Sequence, residues 1–125
     1  MEIIRVNNTK DKDAWLLFEK TYNEIENKEF FAFDKEYTPP KDGFTYKIFD
    51  NDKLVACFLL TFPHLDEENL GYDIGLCEKD LLKVAHMDSV AVDSSYRGRG
   101  YQNILMRKAE EDAIKLGYKY LMCTI

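Results

Sequence analysis

The sequence predicts an α/β (α+β) domain: a mixed, mostly antiparallel sheet with a parallel βαβ unit at its C-terminal end and helices on both faces. Three observations predict it. Residues 83–125 run strand, glycine-containing turn, helix, strand; residues 44–62 hold two strand-like runs around a turn; and a helical apolar stripe precedes both. A hairpin makes its strands antiparallel, whereas a crossover helix makes the strands it joins parallel. The two together require a mixed sheet. At 125 residues the chain is read as a single domain, 1–125, large enough to bury ~65% of the surface its unfolded form exposes.

Taken in order, Glu2–Val6 alternates weakly and reads as a first strand. Asn8, Thr9 and Asp11 are cap-type residues ahead of a long helix with Trp15, Phe18, Tyr22 and Ile25 on one face, a core stripe. Phe30, Phe31 and Phe33 form an aromatic cluster compatible with a second helix, and Thr38–Gly43 is a loop. Phe44–Phe49 and Leu54–Phe62 are strands joined by Asp50-Asn51-Asp52-Lys53, a hairpin signal. Pro63–Glu78 is polar with Gly71 and Gly75 and reads as an irregular lip, with a helical turn at Lys79–Leu82. Residues 84–92 are β-branched and small, a strand. Tyr101, Ile104, Leu105, Ala109, Ala113 and Leu116 then recur at helical spacing, and Gly117 stands where a helix stops. Tyr118–Ile125 returns to strand composition.

Composition excludes several classes. Hydrophobic residues at 46% and aromatics at 14% fit a globular chain. No apolar run approaches the ~18 residues needed to span a membrane, and the N-terminus carries no signal-peptide pattern. Cys57, Cys77 and Cys123 are odd in number and form no Cys-x-x-Cys, so they read as buried free thiols of a reducing cytoplasm, with no metal site. A net charge of −6 argues against nucleic acid as a general partner.

The turn at 97–102 goes against that acidic balance. Residues 94–108 carry Arg97, Arg99, Arg107 and Lys108 and no acid. Unpaired N–H groups at a helix N-terminus bind anions, and glycines let the backbone come close. An ordinary connecting turn with solvated arginines is the plainer alternative. The P-loop pattern fails, since no Lys-Ser or Lys-Thr follows the glycines, and the dinucleotide fingerprint fails at Asn103.

Val90-Ala91-Val92, a short passage Asp93–Tyr96, then Arg97-Gly98-Arg99-Gly100-Tyr101-Gln102 resembles the acetyl-CoA motif of the GCN5-related N-acetyltransferases (GNAT). That motif is Arg or Gln, two residues, Gly, one residue, then Gly or Ala. Arg97 and Gly100 match it, and Gln102 stands where Gly or Ala is usual. The order β-α-(α)-β-β-β-α-β also follows that family. The resemblance implies that the amides of Arg97, Gly98, Arg99, Gly100, Tyr101, Gln102 and Asn103 hold the CoA pyrophosphate, with Arg97 and Arg99 as the cations. It implies that Val90, Ala91 and Val92 pair with pantetheine in a gap between splayed strands, and that the Val90 N–H meets the thioester oxygen; a plain core strand is the other reading of these valines. His86 takes the place of the general-base glutamate of the histone branch. Asp88 is the second candidate base, or the partner that orients His86. A histidine satisfied within the sheet remains the alternative.

The function so implied is N-acetyltransferase, moving acetyl from the co-substrate acetyl-CoA to a primary amine by direct attack. The alternative is a non-catalytic GNAT-like module that binds acyl-CoA or a protein. Asp66, Glu67, Glu68 and Asp73 either attract a cationic amine or form a solvated loop. By resemblance a full domain continues past Ile125 with a helix and two strands, including a tyrosine that protonates the thiolate. The domain is therefore expected to be C-terminally incomplete, and the apolar Tyr120–Cys123 strand to be covered in a homodimer or larger assembly.

Overall fold

The computed structural model describes residues 2–24 and 38–123. Ile25, the aromatic cluster Phe30, Phe31 and Phe33, and the last two residues lie outside that range. Five strands form one sheet in sequence order: β1 (Ile3–Val6), β2 (Gly43–Asp50), β3 (Lys53–Thr61), β4 (Val84–Val92) and β5 (Tyr120–Met122). Neighbours are antiparallel up to β4, and β4 and β5 are parallel. The fold class and element order expected from the sequence therefore hold. The last strand is shorter than expected, three residues, all half-buried rather than covered.

Helix α1 (Lys12–Asn23) is capped by Asp11, whose side chain accepts the Ala14 N–H. Its buried residues are Ala14, Leu17 and Phe18, which meet Cys57, Leu59 and Ala91 on one face of the sheet. Trp15 only flanks that cluster, because its indole reaches back to donate to the Thr9 carbonyl at 3.0 Å. Helix α3 (Tyr101–Lys115) covers the opposite face, where Leu105, Ala109 and Ala113 meet Tyr46, Phe58, Leu60 and Ala85. Gly117 ends it at φ 90°, a left-handed conformation that costs glycine little.

One polar knot sits under α3. Asp112 is 4% exposed and accepts from the Tyr46 hydroxyl at 2.8 Å, Arg5 at 3.0 Å and Lys108 at 3.2 Å. Burial opposes its charge, yet those bonds hold the carboxyl below its usual range. Burial and then the same contact push the Tyr46 phenol up. Arg5 and Lys108 reach Asp112 from the surface, so water screens their contribution, and the buried Tyr46 hydroxyl is the partner least replaceable by solvent.

The β2–β3 hairpin closes tightly, with Asp50 opposite Lys53 and Asn51 at φ 55°. Between β3 and β4 the lip is more ordered than its composition suggests. It holds a 3₁₀ turn (Leu70–Ile74) and a short helix α2 (Glu78–Leu81). Asn69, 2% exposed, ties it together by donating to the His64 and Leu81 carbonyls and accepting the Gly71 N–H. The cysteine expectation needs correction. All three thiols are free, but only Cys57, at the centre of β3, is buried; Cys77 precedes α2 and Cys123 follows β5, both exposed. Burial raises the Cys57 thiol pKa far above its ordinary value.

Candidate functional site

Strand β4 carries the site. Val84, Ala85 and His86 pair in parallel with Tyr120, Leu121 and Met122. From Met87 onward, among the described residues, only β3 pairs with β4, so its other edge opens into a gap. Hydrogen-bond alternation says which groups face that gap. The Asp93 N–H donates to the Val55 carbonyl at 2.8 Å. The Asp93 and Ala91 amides therefore point at β3, and those of Val90 and Val92 point outward. Arg97 agrees, its Nε donating to the Val92 carbonyl at 3.3 Å.

Period two along an unbroken strand would put His86, Asp88, Val90 and Val92 on one face, and the register of β4 breaks that pattern. Leu59 stands opposite Ser89 and Leu60 opposite Met87, which leaves Asp88 as an extra residue. This is a β-bulge, and it moves every later side chain to the other face. Val90 and Val92 stand opposite Phe58 and Ala56 on the α3 face, whereas His86 and Ser89 stand opposite Thr61 and Leu59 on the α1 face. Asp88 stays with His86: its carboxylate accepts from Thr61 Oγ1 at 3.4 Å and from Ser89 Oγ at 3.1 Å.

The His86 ring is 9% exposed, and its Nε2 accepts the Leu70 N–H at 3.1 Å. That bond puts the proton on Nδ1 and occupies the ring's acceptor nitrogen. Burial lowers its pKa below the usual imidazole value, opposed by the charges of Asp88 and Asp66. The ring is thus neutral at pH 7 and anchors the lip to β4. Asp66 caps its own loop by accepting the Glu68 N–H at 2.8 Å, and Glu67, Glu68 and Asp73 are exposed.

A cleft of about 580 Å³ opens where the turn meets the gap. Strand β4 contributes Val90, Ala91 and Val92; the turn contributes Arg97, Gly98 and Gly100; the first turn of α3 contributes Tyr101, Gln102 and Asn103. All the binding residues expected from the sequence line it except Arg99, whose guanidinium lies over the Tyr96 ring at 4.7 Å. Tyr96 and, from α1, Thr21 complete the lining. Thr21 belongs to a distant helix and carries no local signal, so sequence reasoning missed it. His86 and Asp88 lie beyond the cleft lining, further back along β4.

The turn's geometry suits an anion. Gly98 and Gly100 sit at φ 82° and 79°, and a Cβ on either would meet no protein atom within 4 Å. Their role is conformational and leaves open space beside the backbone. Gly100 caps α3 without any side-chain hydrogen bond, so no N-cap side chain takes the first-turn amides. A pyrophosphate fits this cradle. Arg97 is held at the turn by the Val92 carbonyl and by Glu24 at 3.9 Å. No group of three metal-ligating side chains occurs among the described residues. No helix there is long and apolar enough to cross a membrane.

Residues 11–125 match the model of the acetyltransferase (GNAT) family. No curated protein matches this sequence. Among solved structures, the chain is similar to an aminoglycoside acetyltransferase from an uncultured soil metagenomic sample, in complex with trehalose. The TM-score is 0.64 at 15% identity, covering 99% of this chain and 76% of that one. An aminoglycoside N-acetyltransferase in complex with CoA gives 0.61 at 13% identity, covering 99% and 78%. Tetrahymena GCN5 gives 0.60 at 16%, covering 100% and 71%. At these identities the likeness shows a shared fold.

Proposed function

Because the chain belongs to the acetyltransferase (GNAT) family, we propose that its cleft binds acetyl-CoA and that it transfers the acetyl group to a primary amine by direct attack. The observation that carries this reading is a coincidence in one cleft. An uncapped helix N-terminus, two left-handed glycines and the outward edge of β4 all open on the same space. The Gly98–Asn103 amides and Arg97 hold the pyrophosphate. The outward Val90 and Val92 groups pair with the pantetheine arm as an added strand would. The Val90 N–H lies on that edge, where it can donate to the carbonyl oxygen as charge develops.

The chemistry needs a neutral amine. Its lone pair attacks the thioester carbon, the C–N bond forms, the C–S bond breaks with its electron pair leaving on CoA as the thiolate, which takes a proton from water, and the amine's proton goes to a base. With His86 Nε2 engaged by Leu70, we assign that proton to Asp88, directly or through water, and give His86 the task of holding the lip. The CoA complex and the aminoglycoside enzymes among the structural neighbours support a small-molecule amine as acceptor. Calorimetric titration with CoA, beside thiol release from acetyl-CoA over a panel of amines, tests the reading. Micromolar CoA binding with thiol release upholds it. Absence of CoA binding overturns it. CoA binding without transfer to any amine supports an acyl-CoA-binding module instead, the reading that a structurally engaged His86 favours.

A further inference from the structure

Asp93 lies one residue past β4 and belongs to none of the binding groups above. It is 2% exposed, yet it carries a carboxylate with two lysines on it. Lys20 of α1 donates to Oδ2 at 2.8 Å, and Lys53, from the start of β3, lies 3.6 Å from the same oxygen. The other oxygen accepts the Ser95 N–H at 3.0 Å and so opens the 3₁₀ turn Ser94–Tyr96. The Asp93 backbone closes the arrangement. Its N–H is held by Val55 at 2.8 Å, and its carbonyl accepts the Tyr96 N–H at 2.8 Å. Lys53 also lies 5.4 Å over the Tyr96 ring, and the Tyr96 hydroxyl donates to Asp50 at 2.6 Å. One buried carboxylate therefore ties β3, the β2–β3 hairpin and α1 to the start of the glycine turn.

The placement matters because two of those elements both line the cleft. Thr21, next to Lys20, lines it from α1, while Tyr96 and Arg97 line it from the turn. The Lys20–Asp93 pair bridges the same two elements. We infer that Asp93 is a positioning residue for cofactor binding: through Lys20 and Lys53 it fixes the distance between α1 and the glycine turn, and so the width of the cleft that receives the CoA diphosphate. A buried charge suits this task better than an apolar contact, since its partners must stay at hydrogen-bond distance or leave it uncompensated. The Lys20 bond and the Ser95 N–H hold the carboxyl pKa at about 2, so the carboxylate is charged at neutral pH. The inference rests on the cleft being the CoA site.

The test pairs Asp93→Asn with Lys20→Met. The asparagine keeps an acceptor for the Ser95 N–H but loses the charge, and Lys20→Met attacks the pair from its exposed side. Calorimetry should show the CoA dissociation constant raised at least ten-fold by each. The acetyl-CoA KM should rise in parallel, with kcat at saturation within two-fold. The double variant should bind no worse than the weaker single one, because both remove the same tie. Unchanged affinity overturns the inference. So does tighter binding in Asp93→Asn, which would mean that the lysines are phosphate ligands restrained by the carboxylate. A fall in kcat with unchanged affinity overturns it too. If Asp93→Asn does not fold, Asp93→Glu replaces it: weaker CoA binding from the displaced carboxylate upholds the inference, and unchanged affinity in Asp93→Glu and Lys20→Met overturns it. Loss of CoA binding in the unsubstituted chain would instead remove the cleft assignment, and this inference with it.

Discussion

The two halves of β4 do different jobs with the same backbone. Val84–His86 is paired along its outer edge by β5, with His86 also paired to β3, and its side chains are buried. Val90–Val92 is paired on one side and offers the amides of Val90 and Val92 to a gap. Between them Asp88 is inserted as a bulge. A bulge ends regular pairing and re-aims side chains without breaking the strand. Here it separates a half that is held from a half that is left open to hold something else. The closed half also takes the lip, through His86 and Leu70. Binding on the open half and proton transfer at the bulge should therefore be separable by mutation.

The largest effect is expected at the turn that follows the open half. Gly100 needs φ 79°, where a β-branched residue is strained by on the order of 1–3 kcal/mol. A Val side chain would also project beside the amides proposed to take the diphosphate. Gly100→Val should raise the CoA dissociation constant on the order of 10³-fold, combining that strain with lost charged hydrogen bonds of about 1.5–3 kcal/mol each. Because a Cβ there meets no protein atom within 4 Å, the fold should survive. Calorimetry with circular dichroism checks both parts. Unchanged affinity would mean the turn is not the diphosphate site.

A smaller effect of a different kind belongs to the bulge. Asp88→Asn keeps the shape and its contacts with Thr61 and Ser89 but removes the basic oxygen. Losing a general base costs on the order of 10²-fold in kcat, while the CoA dissociation constant should stay within two-fold. If Asp88→Asn weakens CoA instead, the two halves are coupled and the division drawn above is wrong.

What the sequence reveals follows the same division. The open half and its turn were readable because glycine at positive φ, a free helix N-terminus and a run of valines are local properties. The candidate binding residues between Val90 and Asn103 come from one stretch and, Arg99 apart, line one cleft. The bulge was not readable. It exists because Leu59 and Leu60 of β3 meet Ser89 and Met87, a pairing that no pattern within β4 encodes, so period two put Val90 on the wrong face relative to His86. Lys20, Lys53 and Asp93 escaped for a related reason: they lie up to 73 positions apart, and each alone is an ordinary charged residue.

The smallest expected effect concerns the closed half and has a definite sign with pH. In the unfolded chain His86 titrates near 6.5. Burial puts its folded value lower, so between the two the unfolded state binds more protons and stability rises with pH. Its contribution is complete above about 6.5 and is lost as pH falls through the folded value. Protonation would also turn Nε2 into a donor facing the Leu70 N–H. His86→Ala should cost on the order of 1–3 kcal/mol at pH 7.5, the cost of leaving that amide without its partner. The difference from the unsubstituted protein should shrink towards pH 5, because only the unsubstituted protein carries the acid penalty. Urea unfolding at pH 5, 6 and 7.5 measures it. If His86 were the base and not the anchor of the lip, the outcome would invert: a kcat loss concentrated below pH 8, with little change in the slope of stability against pH.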